Sequence, residues 1–207
     1  MSSAVPASAA AGRLPALRWQ VLLKPVVFLA ALAPFLYLLQ ALFSGALGPN
    51  PIDALTDQTG TLAIRMLMIS LSLTPLRWLL KRTWPLKLRR MLGLFAFFYA
   101  FLHVSIYLFL DQQLDLGAIW EDLAERPYIM AGTVAFLILI PLALTSTKGM
   151  VRRLGRRWAA LHRGVYIAGA AVVVHYVWLA KGDLIEPFVY LALLLLLLAY
   201  RFVRMLR

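Results

Sequence analysis

The stretch Arg156-Arg-Trp-Ala-Ala-Leu-His162-Arg-Gly-Val-Tyr-Ile-Ala-Gly-Ala-Ala-Val-Val-Val-His175-Tyr-Val-Trp178 decides how this chain reads. Two arginines lead into an apolar run about as long as the roughly 20 residues that cross a bilayer's hydrocarbon core. Two histidines interrupt that run. An ionisable side chain inside a membrane is costly and rare, so its default meaning is a functional site. Neutral imidazole is also the commonest protein ligand for a metal. At 1.5 Å of rise per residue, His162 and His175 stand roughly 20 Å apart along a helix. One span can therefore present two metal centres at two depths. The third and last histidine, His103, lies in another apolar run.

The rest of the chain agrees with a membrane setting. Its 207 residues are 62% hydrophobic and 14% charged, with a mean hydropathy of +0.80, which excludes an ordinary soluble domain. Six windows reach spanning length: 24–43, 60–79, 90–110, 127–147, 158–180 and 184–204. The connections are short, so residues 20–207 form one all-α, six-transmembrane helical bundle. Residues 1–19 read as a cytoplasmic tail, because Met1 to Gly12 are Ala/Ser-rich with no basic start and no apolar core. The outer connections, from Ser44 onward and over 111–127, read as loops, the second strongly acidic. The leucine run Leu193–Leu198 reads as a lipid-facing wall. Neither an internal repeat nor a GxGxxG or Walker motif is evident.

A net charge of +12 suggests nucleic acid only until its distribution is seen. Threading six spans puts 18 of the 21 basic residues on one side, including Arg77, Arg89, Arg90, Arg152, Arg153, Arg163, Arg201 and Arg204. All nine acids fall on the other side. The positive-inside rule then places both termini in the cytoplasm, and the basic face also suits anionic lipid or phosphate. The absence of cysteine excludes thiolate-held iron–sulfur clusters, CxxCH-attached haem and disulfides.

Topology assigns depths to the histidines. His103 and His175 rise from the cytoplasmic side to a similar level in the outer half, on different helices, as two axial ligands of one haem would. His162 stays near the inner surface without a histidine partner. Fourteen residues before His103 stands Arg89, at that inner level. Arginine hardly loses its proton, so it suits a haem propionate or a flavin phosphate better than iron. Arg163 belongs to the same phosphate-contacting group. Arg65 either neutralises an outer propionate or snorkels to the interface. One objection stands: on an ideal helix His162 and His175 point about 140° apart, so they share no face unless the span bends. Phe95, Phe97, Phe98, Tyr99 and Phe101 make an aromatic wall around His103. Trp78, Trp84, Trp120, Trp158 and Trp178 read as interfacial belt residues.

The segments LRRMLGLFAFFYAFLH (88–103), ERPYIMAG (125–132), PLALTS (141–146) and RRLGRRWAALHRGVY (152–166), followed by His175, resemble the MsrQ (YedZ) family. These are haem-binding membrane subunits of the bacterial periplasmic methionine sulfoxide reductase system, related to ferric-reductase-like transmembrane domains. The resemblance implies a multi-pass cytochrome b of the inner membrane, with one or two b-type haems and FMN, and with His103, His162 and His175 as haem ligands. It further implies electron transfer from the quinone pool or a cytoplasmic flavin reductase to MsrP, a periplasmic molybdopterin enzyme. The chain is then an electron-transfer subunit, and sulfoxide chemistry belongs to the partner. Two other readings compete: a transmembrane ferric reductase or another electron conduit on the same scaffold, and a histidine-based proton or metal transporter. The transporter reading is disfavoured because no acid lies within a predicted membrane interior.

Overall fold

The computed structural model describes residues 16–180, 182 and 184–205. The expected tail therefore lies outside the described residues as far as residue 15, and its end is already helical. The elements are α1 Ala16–Ser44, α2 Pro51–Leu80, α3 Trp84–Ile106, α4 Leu116–Glu125, α5 Pro127–Leu144, α6 Lys148–Leu154, α7 Arg156–Leu161, α8 Gly164–Leu179 and α9 Ile185–Met205. No strand occurs among the described residues. Six segments are long and apolar enough to cross a membrane: Leu22–Ser44, Pro51–Leu80, Trp84–Asp111, Pro127–Leu144, Arg156–Leu179 and Ile185–Arg204. This is a six-span, all-helical protein.

Two helical pairs form its body. In one, α2 lies along α3; in the other, α5 lies along α8. Helix α9 joins the pairs by packing on α2 and α8, and α1 covers α3. Ile64, Leu67, Met68 and Leu71 of α2 meet Ala96, Val173, Leu194 and Leu197 in the central cluster. Leucine gains little by leaving lipid for protein, so close packing and hydrogen bonds hold such helices together. Tyr99 illustrates this: its ring is fully buried and its hydroxyl donates to the Ala31 carbonyl at 2.6 Å, fixing α1 to α3.

Several sequence expectations need correction. Helix α2 starts at Pro51 rather than near 60, because Asn50 accepts the Asp53 amide and proline occupies the first turn. Asn50 is thus an N-cap of the preferred type, and it ends the turn-rich connection early. The acidic segment 111–127 is not a plain loop, since α4 lies within it. Asp115 caps α4 by accepting from the Gly117 and Ala118 amides. Buried Asp122 accepts from Tyr107 (2.9 Å) and Gln112 (3.0 Å) and pairs with Arg126 at 3.1 Å. Part of the acidity is therefore structural. Span three ends in a π-helical turn, Tyr107–Asp111, which aims Tyr107 at Asp122. The leucine run of α9 is only half lipid-facing: Leu195 and Leu196 are exposed, while Leu194 and Leu197 are buried.

Candidate functional site

A bilayer interior offers no water, so every polar group there must find a partner within the protein. The partners found by the three histidines separate them into two kinds. His103 on α3 bonds through Nδ1 to the Thr56 carbonyl of α2 at 2.9 Å. His175 on α8 bonds through Nδ1 to the Tyr128 carbonyl of α5 at 2.6 Å. A carbonyl only accepts, so both imidazoles carry their proton on Nδ1 and keep the Nε2 lone pair. A hydrogen bond from the ring nitrogen facing away from the metal sets the tautomer of metal-ligating histidines in this way.

The two rings lie close together, with centroids 6.2 Å apart and planes at 80°. An imidazole nitrogen sits about 2 Å from a first-row metal and about 1.1 Å from its ring centre, so two rings across one ion have centroids about 6.2 Å apart. The spacing fits a single ion between them. Among the described residues no group of three or more His, Cys, Asp or Glu side chains could hold a metal. Two imidazoles at this spacing would suit an ion whose remaining ligands come from a macrocycle, as in haem.

His162 differs. Its Nε2 meets Thr145 Oγ1 at 3.0 Å, and that hydroxyl gives its only proton to the Pro141 carbonyl at 2.6 Å. His162 therefore donates from Nε2, the opposite tautomer to the outer pair. Trp158 stacks on the ring at 4.0 Å and donates to the Thr145 carbonyl. In this arrangement His162 Nε2 is engaged and must release Thr145 before it can bind metal. The helix also breaks here, with His162 ending α7 and Arg163 preceding α8. That break answers the 140° objection, since His162 and His175 do not share one ideal helix.

Around His162 opens a cavity of about 460 Å³, also lined by Arg89, Arg90, Arg163, Tyr166 and Arg201. Arg89 and His162 thus meet at one level, and Arg163 joins them. Arg90 and Arg201 were missed by the sequence reading, although both sat on the face it identified as basic. Arg201 donates to the Tyr166 hydroxyl, which ties the end of α9 to the start of α8. The walls are otherwise apolar, with Leu71, Leu94, Phe97 and Leu139 among them. A planar apolar group with an anionic end fits such a lining.

Arg65 belongs elsewhere. Its side chain is 53% exposed and pairs with Glu186 at 3.0 Å, with Tyr190 beside it. Arg65 and Glu186, with Tyr176 and Asp57, border a second cavity of about 260 Å³. Arg65 is therefore not buried, and it already has an acidic partner. The expected aromatic wall divides as well. Phe95, Phe98 and Tyr99 face α1, whereas Phe97 stacks on Phe136 of α5.

Six spans with histidines paired between two helices define a transmembrane protein of the ferric reductase kind. The family model described as ferric reductase like transmembrane component matches residues 59–173. Relatives named protein-methionine-sulfoxide reductase heme-binding subunit MsrQ are similar over most of their length. The protein from Rhodospirillum rubrum is 51% identical, with 86% of each chain covered. That from Deinococcus radiodurans is 50% identical over 84% of each chain. That from Azospira oryzae is 46% identical over 89% of this chain and 80% of its own. This chain belongs to the MsrQ family. No solved structure matches it.

Proposed function

We propose that this protein is a membrane cytochrome b that relays electrons across the bacterial inner membrane. The observation that carries the reading is the His103–His175 pair, 6.2 Å apart with both Nδ1 atoms turned onto carbonyls. These two side chains would hold haem b between α3 and α8. Held by two histidines, haem would supply a one-electron carrier rather than an oxygen-binding centre. The cavity beside His162 takes the second group, either another haem or FMN. Arg89 and Arg163 there would receive propionate or phosphate, because a guanidinium forks onto such anions and keeps its charge. A propionate reaching the smaller cavity would share Arg65 with Glu186.

Orientation follows from charge. Arg89, Arg90, Arg163 and Arg201 gather at one end of the bundle, and Arg204 lies over Trp78 at that end. Asp57, Glu186 and Asp122 lie toward the other. The positive-inside rule puts the basic end and both termini in the cytoplasm. Electrons would then enter at the inner cavity, from the quinone pool or a cytoplasmic flavin reductase, and leave at the outer pair. The name shared by the relatives supports a reductase system as the destination. The receiving partner in this reading is MsrP, the periplasmic molybdopterin enzyme, and the outcome is repair of oxidised periplasmic proteins.

Purified protein tests the reading. We expect a Soret band, reduced α-bands and extractable haem, with reduction of MsrP faster than reduction of ferric chelates. Faster reduction of chelates would favour the ferric reductase reading. Protein that stays colourless after hemin is supplied would overturn the haem assignment and leave a histidine-based transporter to be considered.

A further inference from the structure

The two outer histidines are seated in the same way. Each lies 47 residues beyond the carbonyl that holds its Nδ1. Each holding carbonyl lies one helical turn before a glycine, Thr56 before Gly60 and Tyr128 before Gly132. One constant shift in residue number thus carries Thr56, Gly60 and His103 onto Tyr128, Gly132 and His175. Under this shift Thr61, Ala63, Leu67 and Ala96 also meet the same residue types at Thr133, Ala135, Leu139 and Ala168, although most other positions differ. The repetition lies in spacing and contact.

The glycines are not incidental. A Cβ on Gly60 would stand 3.1 Å from His103 Nδ1 and Cε1. A Cβ on Gly132 would stand 2.8 Å from His175 Nδ1, closer than such atoms approach in practice. Both glycines lie inside helices, where glycine is less favourable than alanine. The missing side chain lets an imidazole lie against the neighbouring helix and reach a carbonyl already engaged in the helical ladder. A methyl group there lifts the ring away from its acceptor.

We propose that Gly60 and Gly132 are positioning residues for the paired histidines. Resting on the reading that His103 and His175 share one haem iron, the proposal is that these glycines fix tautomer, ring plane and ligand basicity. Donation from Nδ1 to a carbonyl makes the imidazole more basic, which favours the oxidised metal and lowers the midpoint potential. Near-perpendicular ring planes (80°) also leave the two π-type iron d orbitals close in energy. The unpaired electron of a low-spin ferric centre then keeps orbital angular momentum, and its g-values become strongly anisotropic.

The test uses full-length protein with Gly60→Ala, Gly132→Ala and, as control, Gly169→Ala, whose Cβ would meet only leucine methyls at 3.5 and 3.7 Å. Helix content and melting temperature report folding; redox titration and electron paramagnetic resonance report the histidine pair. Gly132→Ala is expected to lose the outer haem or to raise its potential and shift its low-field g-value. Gly60→Ala is expected to shift both readouts in the same sense by less, and it remains informative should Gly132→Ala fail to fold. The control keeps the wild-type values. Wild-type values in a folded, haem-loaded Gly60→Ala protein would overturn the proposal while leaving the haem reading intact. A wild-type protein that takes up no haem would overturn both.

Discussion

The placement of single protons separates the outer histidine pair from the inner histidine. At His103 and His175 the proton sits on Nδ1, held by carbonyls of α2 and α5, and Nε2 keeps its lone pair. At His162 the proton points at Thr145. The outer ligands are thus preset, and the inner one must change partner. Replacing His103 or His175 by alanine should abolish the strongly anisotropic ferric signal and its share of bound haem. His162→Ala should leave that signal in place and alter only what the cavity at the basic end retains. Haem quantification together with paramagnetic resonance checks both outcomes. The sequence already pointed to the outer pair, because a helix is a ruler and equal run lengths give equal depth. It did not reveal the tautomers, which depend on carbonyls of other helices. Arg65 shows the same gap: its partner Glu186 lies on a distant span, and no local pattern records that contact.

Among the helices, run length alone identified all six spans, since a bilayer demands about 20 apolar residues. Their ends were less legible. The Asn50-Pro51 start of α2 is a standard capping arrangement lying outside the apolar window. Helix α4 was hidden because acidity drew attention away from Leu116, Ile119, Trp120 and Leu123, which recur at helical spacing. This helix is fastened through Asp122. Asp122→Ala would leave Tyr107, Gln112 and Arg126 without their acceptor, at a cost of about 1–3 kcal/mol for a disrupted buried polar network. The expected outcome is a lower melting temperature in detergent and faster amide exchange confined to α4 and the π-helical turn. Uniform exchange across the protein would show that Asp122 does not act as the local fastening.

For the molecule as a whole, charge asymmetry predicts orientation, and the lack of native cysteine makes that prediction simple to check. Single cysteines at exposed Ser44, which ends α1, and exposed Gly149, in the short helix α6, stand at opposite ends of the bundle. In intact spheroplasts an impermeant maleimide should label Ser44→Cys, while Gly149→Cys should react only after lysis. The reverse pattern would turn the proposed direction of electron flow around. Basic residues 148–157, read as an orientation signal, form the short helices α6 and α7, broken at Gly155, whose φ of +50° lies in the left-handed region glycine tolerates. Val151 of α6 and Trp158 of α7 line the cavity, while Arg152, Arg153, Arg156 and Arg157 of the same helices stay exposed.

The twin seating of the outer imidazoles has a consequence for assembly. One ligand comes with the α2–α3 hairpin and the other with the α5–α8 hairpin, so captured iron porphyrin would act as a rivet joining the amino-terminal and carboxy-terminal halves. Severing the polypeptide at Gln113, between those halves, and co-expressing the fragments should yield a complex that co-purifies when porphyrin is abundant and separates when its biosynthesis is blocked.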